Sequence, residues 1–415
     1  MSATMTLRVS PDTEQQTRKA QPAREPGGGY SIPVGYLRAF ITLLVVAHHA
    51  VLAYYPGAPQ PGASFSAGFR LWRAFPVVDA HSSPAFGLFV GFNDTFFMAL
   101  MFFLSGLFVW TGLERRGAGS FLRHRLVRLG VPFVLSAAVL APLAYYPAYL
   151  QSGGVPGLSG YWHAWVSQPD WPAGPAWFLW VLLAFDAIAA GLYRLFPRWG
   201  DILSQFTSTA DKRPSAFYGK LIAVSAASYV PLAFLVDPFG WTSFGPFTFQ
   251  TIRILHYFAY FMAGAAVGAW GVGRGLLSKE GRLAFRWGRW NTLAGLAFTF
   301  SVGTFLAAIS AKTGQRFWFL AAAMAFPISA ATISLAFLSV AVRFARANRL
   351  MDSLRDNAYG IYVLHYAFVS WLQYSLLQAP LSGFAKGALV TLAAALLSWG
   401  TTAALRRVPA VARVL

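Results

Sequence analysis

Within the stretch YLRAFITLLVVAHHAVLAYY, residues 36–55, Arg38 and His49 stand eleven residues apart. On a helix that is about three full turns, so both side chains fall on nearly one face, ~16 Å apart along the axis. An imidazole with an ordinary pKa near 6.5 suits general-base duty close to neutral pH, and a guanidinium suits an anion. Neighbouring His48 is turned about 100° away and faces elsewhere. A second basic group lies in ERRGAGSFLRHRLVRLGVP, with five Arg in fourteen residues. There Arg125 and Arg128, three apart on a helix, share a face and together can grip a phosphate, although a cytoplasmic loop of a membrane protein is basic in any case.

Other chemistry-bearing positions are scattered. Asp186 is a carboxylate inside an apolar stretch and a candidate partner for an Arg. Asp94 either orients His49 or binds an acceptor hydroxyl, or is simply a solvated acid. Tyr359, Tyr362 and Ser105 are candidate donors to an oxyanion, although Ser and Tyr in helices commonly bond locally. Arg253 is expected as a headgroup anchor, and His81, His163 and His256 as interfacial or loop residues. No His, Asp or Glu cluster has metal-ligand spacing, and no metal is expected.

These residues must be positioned by membrane helices. Hydrophobic residues make up 56% of the 415, charged residues 11%, and mean hydropathy is +0.50. A soluble domain averages about 25% charged residues. The expected fold is therefore all-α, a polytopic membrane bundle of ten transmembrane helices near 36–55, 86–110, 127–149, 175–195, 217–236, 250–270, 290–311, 316–340, 358–377 and 384–404. Of the 33 Lys and Arg, only Arg70, Arg73, Arg253, Lys312, Arg316 and Lys386 fall on one side of this arrangement. The remainder occupy both tails and the alternate loops, so both termini are expected in the cytoplasm. Dispersed over short loops, the net charge of +19 is an orientation signal and implies no nucleic-acid partner. Residues 1–30 are expected as a disordered cytoplasmic tail, 31–405 as the membrane domain and 406–415 as a basic cytoplasmic tail. With no cysteine, thiolate metal sites, disulfides and a cysteine nucleophile are excluded. The long outward loops carry aromatic runs such as YWHAW, which form an interfacial belt or stack on sugar rings.

LRAFITLLVVAHH resembles the Arg-x10-His signature of the acyltransferase-3 family of integral membrane acyltransferases, and RLVR resembles its cytoplasmic Arg-x-x-Arg motif. FFLSGLFVW, GPAWFLWVLLAFD, HYFAYFMAGAAVGAW and NAYGIYVLHYAF follow in the family's order, most similar to the OpgC-like branch of periplasmic glucan succinyltransferases. The resemblance implies a multi-pass protein of the inner (plasma) membrane. It moves a succinyl or acetyl group from cytoplasmic acyl-CoA, its co-substrate, to a hydroxyl of an extracytoplasmic glycan. His49 and Arg38 then carry the catalysis, Arg125, Arg128 and Arg38 hold the acyl-CoA, and His365, Tyr362 and Asp94 are possible acceptor or oxyanion residues. His49 acts either as base or through an acyl-histidine, and the sequence leaves the two open. A different class is a transporter or flippase whose solute or proton path is lined by Arg38, His49 and Asp186.

Overall fold

The computed structural model describes residues 31–59, 74–237 and 240–415. The tail expected at 1–30, with Arg70 and Arg73, lies outside them. Residues Ser31–Leu415 form one compact unit. Its long helices are α1 (Ile32–Leu52), α2 (Pro84–Gly106), α3 (Val109–Gln151), α5 (Trp177–Leu195), α6 (Pro214–Leu235), α7 (Ile254–Trp270), α8 (Trp287–Ser310), α9 (Gln315–Phe344), α10 (Arg349–Ser375) and α11 (Gly383–Leu405), with a short α4 (Leu158–Val166) after α3. An antiparallel hairpin, β1 (Trp241–Phe244) and β2 (Phe247–Gln250), precedes α7 and is the one sheet among the described residues.

Among the described residues, nine helices are long and apolar enough to cross a membrane. Ten were expected, and the one not among the nine, 358–377, falls on α10, which ends at Ser375. That helix starts nine residues earlier, at Arg349, because the Asn348 side chain accepts hydrogen bonds from the Leu350 and Met351 amides at 2.9 and 3.2 Å. An Asn in this position satisfies amides that the first helical turn leaves unpaired. The early turns carry Arg349, Asp352, Arg355, Asp356 and Asn357, which dilutes the apolar character of the helix.

The 43 residues of α3 would extend ~64 Å as one straight rod, twice the hydrocarbon thickness. Gly117 interrupts them with φ 70°, ψ 161°. Beyond it the run contains two π-helical turns, Leu126–Gly130 and Ser136–Leu140. Each such turn lets in an extra residue and shifts which side chains face the bundle.

The bundle has an inner and an outer set of helices. In the most apolar stretch of α9, 72% of residues are buried, against 17% in α8 and α6. The outer helices expose rows of large apolar side chains, such as Leu296, Phe300 and Ile309 on α8, the surface expected against lipid. At the centre, α2 and α7 touch backbone to backbone. A Cβ at Gly264 would stand 2.0 Å from the Phe103 carbonyl oxygen, and one at Gly268 would stand 1.9 Å from that of Leu107. Without water to expel, membrane helices associate by such close packing, and small residues four apart permit it.

Candidate active site

α1 lies between α2 and α10, and its two ionisable residues meet different surroundings. Arg38 rests near the carboxyl end of α2. Its Nη2 is 3.4 Å from the Leu104 carbonyl, and its guanidinium sits 5.6 Å from the Phe108 ring centre. A helix carboxyl end presents partial negative charge, which suits a cation. The charged groups within electrostatic reach of Arg38 are Arg125 and Arg128, so the two basic motifs, distant in sequence, come together.

The three arginines are not equivalent. Arg125 Nε lies 3.2 Å from Oδ2 of Asp186, which is fully buried, as the sequence suggested for that carboxylate. The Arg125 guanidinium also lies 5.1 Å from the Phe121 ring centre. Arg128 is exposed on the first π-helical turn of α3, with Arg116 and Arg406 adding like charge nearby. Neighbouring cations with one carboxylate among them leave net positive charge, an arrangement chemically suited to a polyanion such as a phosphate group.

His49 is half-buried, and its hydrogen bonds fix where its proton resides. Nδ1 lies 2.8 Å from the Val45 carbonyl and 3.2 Å from Nε2 of His365. His365 Nδ1 in turn lies 2.7 Å from the Tyr362 carbonyl, so it carries the proton there and its Nε2 is an acceptor. His49 Nδ1 therefore faces two acceptors and must be the N–H. The lone pair is left on Nε2, to which no described residue hydrogen-bonds. This is the tautomer a general base requires.

The backbone beneath the imidazole is held as well. Gln373 Nε2 donates to the His49 and Ala50 carbonyls at 2.9 and 3.0 Å. The Tyr366 ring stands edge-on to His49 at 5.3 Å between centres. His48, on another face, packs against Phe97 at 5.0 Å.

Several expectations for the remaining residues are corrected. Tyr362 offers no free hydroxyl to an oxyanion, because its O–H donates to the Pro175 carbonyl. Tyr359 likewise donates to the Arg128 carbonyl, and Ser105 Oγ back-bonds to Met101 at 2.8 Å. His365 sits behind His49 on its Nδ1 side, fully buried, and is a hydrogen-bond partner of that imidazole. Arg253 is no headgroup anchor. It is 9% exposed and pairs with Asp94 Oδ2 at 2.6 Å, also donating to the Asp94 carbonyl at 3.0 Å. Asp94 is thus tied to α7 and is not free to orient His49, although 45% of its side chain remains accessible. His256 is fully buried, with Nδ1 2.7 Å from Ser225 Oγ. Lys386, expected at an outward surface, is also fully buried, 2.7 Å from Asp79.

Gln373 and the linkage from His365 to His49 escaped the sequence reading. For Gln373 the sequence carried little signal, since an amide eight residues beyond His365 is turned about 80° from it around the helix. Among the described residues, no three His, Asp or Glu side chains gather as metal ligands would.

Compared with known proteins, residues 34–402 match a family model described as an acyltransferase domain and designated acyltransferase-3. No curated protein and no solved structure matches the chain.

Proposed function

The chain belongs to the acyltransferase-3 family, and from that membership we propose that it is a multi-pass membrane O-acyltransferase of the inner membrane. In this reading it takes a succinyl or acetyl group from acyl-CoA on the cytoplasmic side and delivers it to a hydroxyl of an extracytoplasmic glycan. The observation that carries the reading is the distance between its two chemical ends. Arg38 and His49 are separated by ~16 Å of helix. The arm joining the phosphates of coenzyme A to its sulfur has about a dozen bonds, which at ~1.2 Å of advance each reaches ~15 Å. Phosphates on Arg38, Arg125 and Arg128 would then bring the thioester to His49. Placing the arginines in the cytoplasm follows the Lys and Arg asymmetry, with α10 counted as a tenth span and both termini inside. The branch resemblance favours succinyl over acetyl.

The transfer balances without further reactants. The acceptor hydroxyl gives its proton to His49 Nε2 as its oxygen attacks the thioester carbonyl. The C–O bond forms, the C–S bond breaks, and the imidazolium returns the proton to the departing thiolate. His365 Nε2, accepting from His49 Nδ1, stabilises the imidazolium between these steps. Only the acyl group changes sides, so no transport cycle of the whole donor is needed.

Mass spectrometry of extracytoplasmic glycans tests this in cells producing the protein or its His49→Ala variant at matched membrane levels. A succinyl or acetyl mass increment is expected with the native chain and absent with the variant. Identical glycans from both would refute it. In purified protein, removing the base lowers kcat by about 10²- to 10⁴-fold.

A further inference from the structure

We propose that Asn93 and His48, beside the ion pair of Asp94 and Arg253, form the subsite that holds the hydroxyls of the acceptor next to His49. The inference rests on the glycan reading above and names the residues that would recognise that glycan.

Unpartnered polar atoms are the first argument. Asn93 is 1% exposed and lies inside α2, yet no described residue hydrogen-bonds to its Oδ1 or its Nδ2. Nδ1 of His48 and Nε of Arg253, on residues each 9% exposed, are also without a partner among the described residues. These atoms belong to one place. Asn93 stands one helical turn before Phe97, the ring on which His48 packs, and shares its face of α2. The charged groups within electrostatic reach of His48 are Asp94 and Arg253. Leaving such atoms unpaired is costly, most of all within a membrane, and four in one neighbourhood call for water or a ligand.

Access is the second. Where α2 packs on α7, Gly264 meets Phe103 and Gly268 meets Leu107, so the two helices run in parallel register and Ile254, the first residue of α7, is level with Asn93. The earlier turns of α2, from Pro84, extend beyond the start of α7. The hairpin of β1 and β2 leans instead toward α5 and α3. There Trp180 Nε1 donates to the Thr248 carbonyl at 2.8 Å, and the rings of Phe133 and Phe247 lie 5.2 Å apart. On the face of α2 one turn before Asp94, a Cβ at exposed Gly91 would meet nothing within 4 Å, and 45% of the Asp94 side chain is accessible. An accessible carboxylate midway along a membrane helix marks a water-filled mouth, since charge is excluded from lipid.

Chemistry is the third. Asp94 neutralises Arg253 at 2.6 Å, which leaves no net charge to attract an anion or a cation. What remains is an amide, a ring nitrogen and a guanidinium N–H, a mixture of donors and acceptors that fits the closely spaced hydroxyls of a neutral sugar. A hydrocarbon chain would leave all four atoms unpaired. The rings of His48 and His49 stand 5.5 Å apart, so one sugar ring can place a hydroxyl on each.

The test uses the full chain in nanodiscs, with succinyl-CoA or acetyl-CoA as donor. The acceptor is the extracytoplasmic glycan fraction of the producing cells after mild alkaline de-esterification. Native protein is compared with Asn93→Leu, Asn93→Ser and His48→Phe. Leu and Phe keep the volume of Asn and His without their hydrogen bonds. The glycan concentration at half-maximal rate is expected to rise about tenfold or more in Asn93→Leu, the weight of two hydrogen bonds, and about three- to tenfold in His48→Phe. Asn93→Ser, which keeps a hydroxyl, falls between Asn93→Leu and the native chain. The KM for the donor stays within about twofold, which also shows that the variants are folded. Because Leu removes unpaired polar atoms, Asn93→Leu should melt no lower than the native chain. Unchanged glycan dependence in Asn93→Leu and His48→Phe overturns the subsite and assigns the unpaired atoms to bound water. Lowered melting temperature with donor and glycan constants both unchanged assigns the residues to packing and also overturns it. A native chain that transfers no acyl group to the glycan from either donor overturns the acyltransferase reading itself, and the subsite with it.

Discussion

At His49 the decisive quantity is which nitrogen carries the proton. Two acceptors on the Nδ1 side place it there, and His365 is the acceptor that mutation can remove. His365→Ala is expected to lower kcat by about 10- to 100-fold, part of the full general-base contribution, while the KM for acyl-CoA stays within about twofold. His365→Gln, whose amide oxygen can accept from Nδ1, should recover most of the loss. Steady-state kinetics of the two variants separate this positioning role from simple packing, which neither side chain would restore selectively. The arginines give the opposite signature. Replacing Arg128 with Ala raises KM for acyl-CoA by about tenfold or more, the weight of a charge-assisted hydrogen bond, with kcat largely retained. The placement of Arg38 and His49 about three turns apart on one helix, and of Arg125 and Arg128 one step apart on another, was legible in the sequence because a 3.6-residue period and a three-residue step are local facts. The contact between His365 and His49 joins residues 316 apart, and no local pattern encodes it.

Among the elements, the pair formed by α2 and α7 makes the firmest prediction. Gly264→Val and Gly268→Val each place a side chain within about 2 Å of a backbone carbonyl, so the helices must separate. Both variants should lose the thermal stability of the detergent-solubilised protein, whereas Gly288→Val on peripheral α8, where a Cβ meets nothing within 4 Å, should leave it nearly unchanged. Helix existence was readable from apolar runs, but their internal irregularities were not. The π-helical turns of α3 leave no mark in hydropathy, yet the first of them sets the environment of Arg128. The start of α10 was missed for the opposite reason, since its first turns are polar and stabilised by an Asn cap and not by lipid-facing surface. Arg253, His256 and Lys386 were assigned to surfaces because charge ordinarily stays there, whereas each is buried against a specific partner.

For the whole molecule, orientation is the property on which the reaction scheme depends. The absence of native cysteine makes it simple to measure. A single cysteine at Ser152, after α3, should react with a membrane-impermeant maleimide added to intact cells, and one at Arg213, before α6, only after permeabilisation. The reverse pattern would put the arginine cluster outside and defeat the use of cytoplasmic acyl-CoA.

The buried pair of Lys386 and Asp79 carries a consequence for how the protein is made. Asp79 follows the first span and reaches the ribosome's exit long before Lys386, which opens the last one. Until α11 is inserted, the acid beside the end of α1 has no ammonium to meet, and a buried charge missing its partner is strongly destabilising. Chains cut short before residue 383 would therefore present to the cell's quality control a carboxylate that has lost its ammonium and keeps its contacts with neighbouring His81. A nascent copy earns its active site only on being finished, and pulse-chase turnover of such truncated chains should be markedly faster than that of the full-length protein.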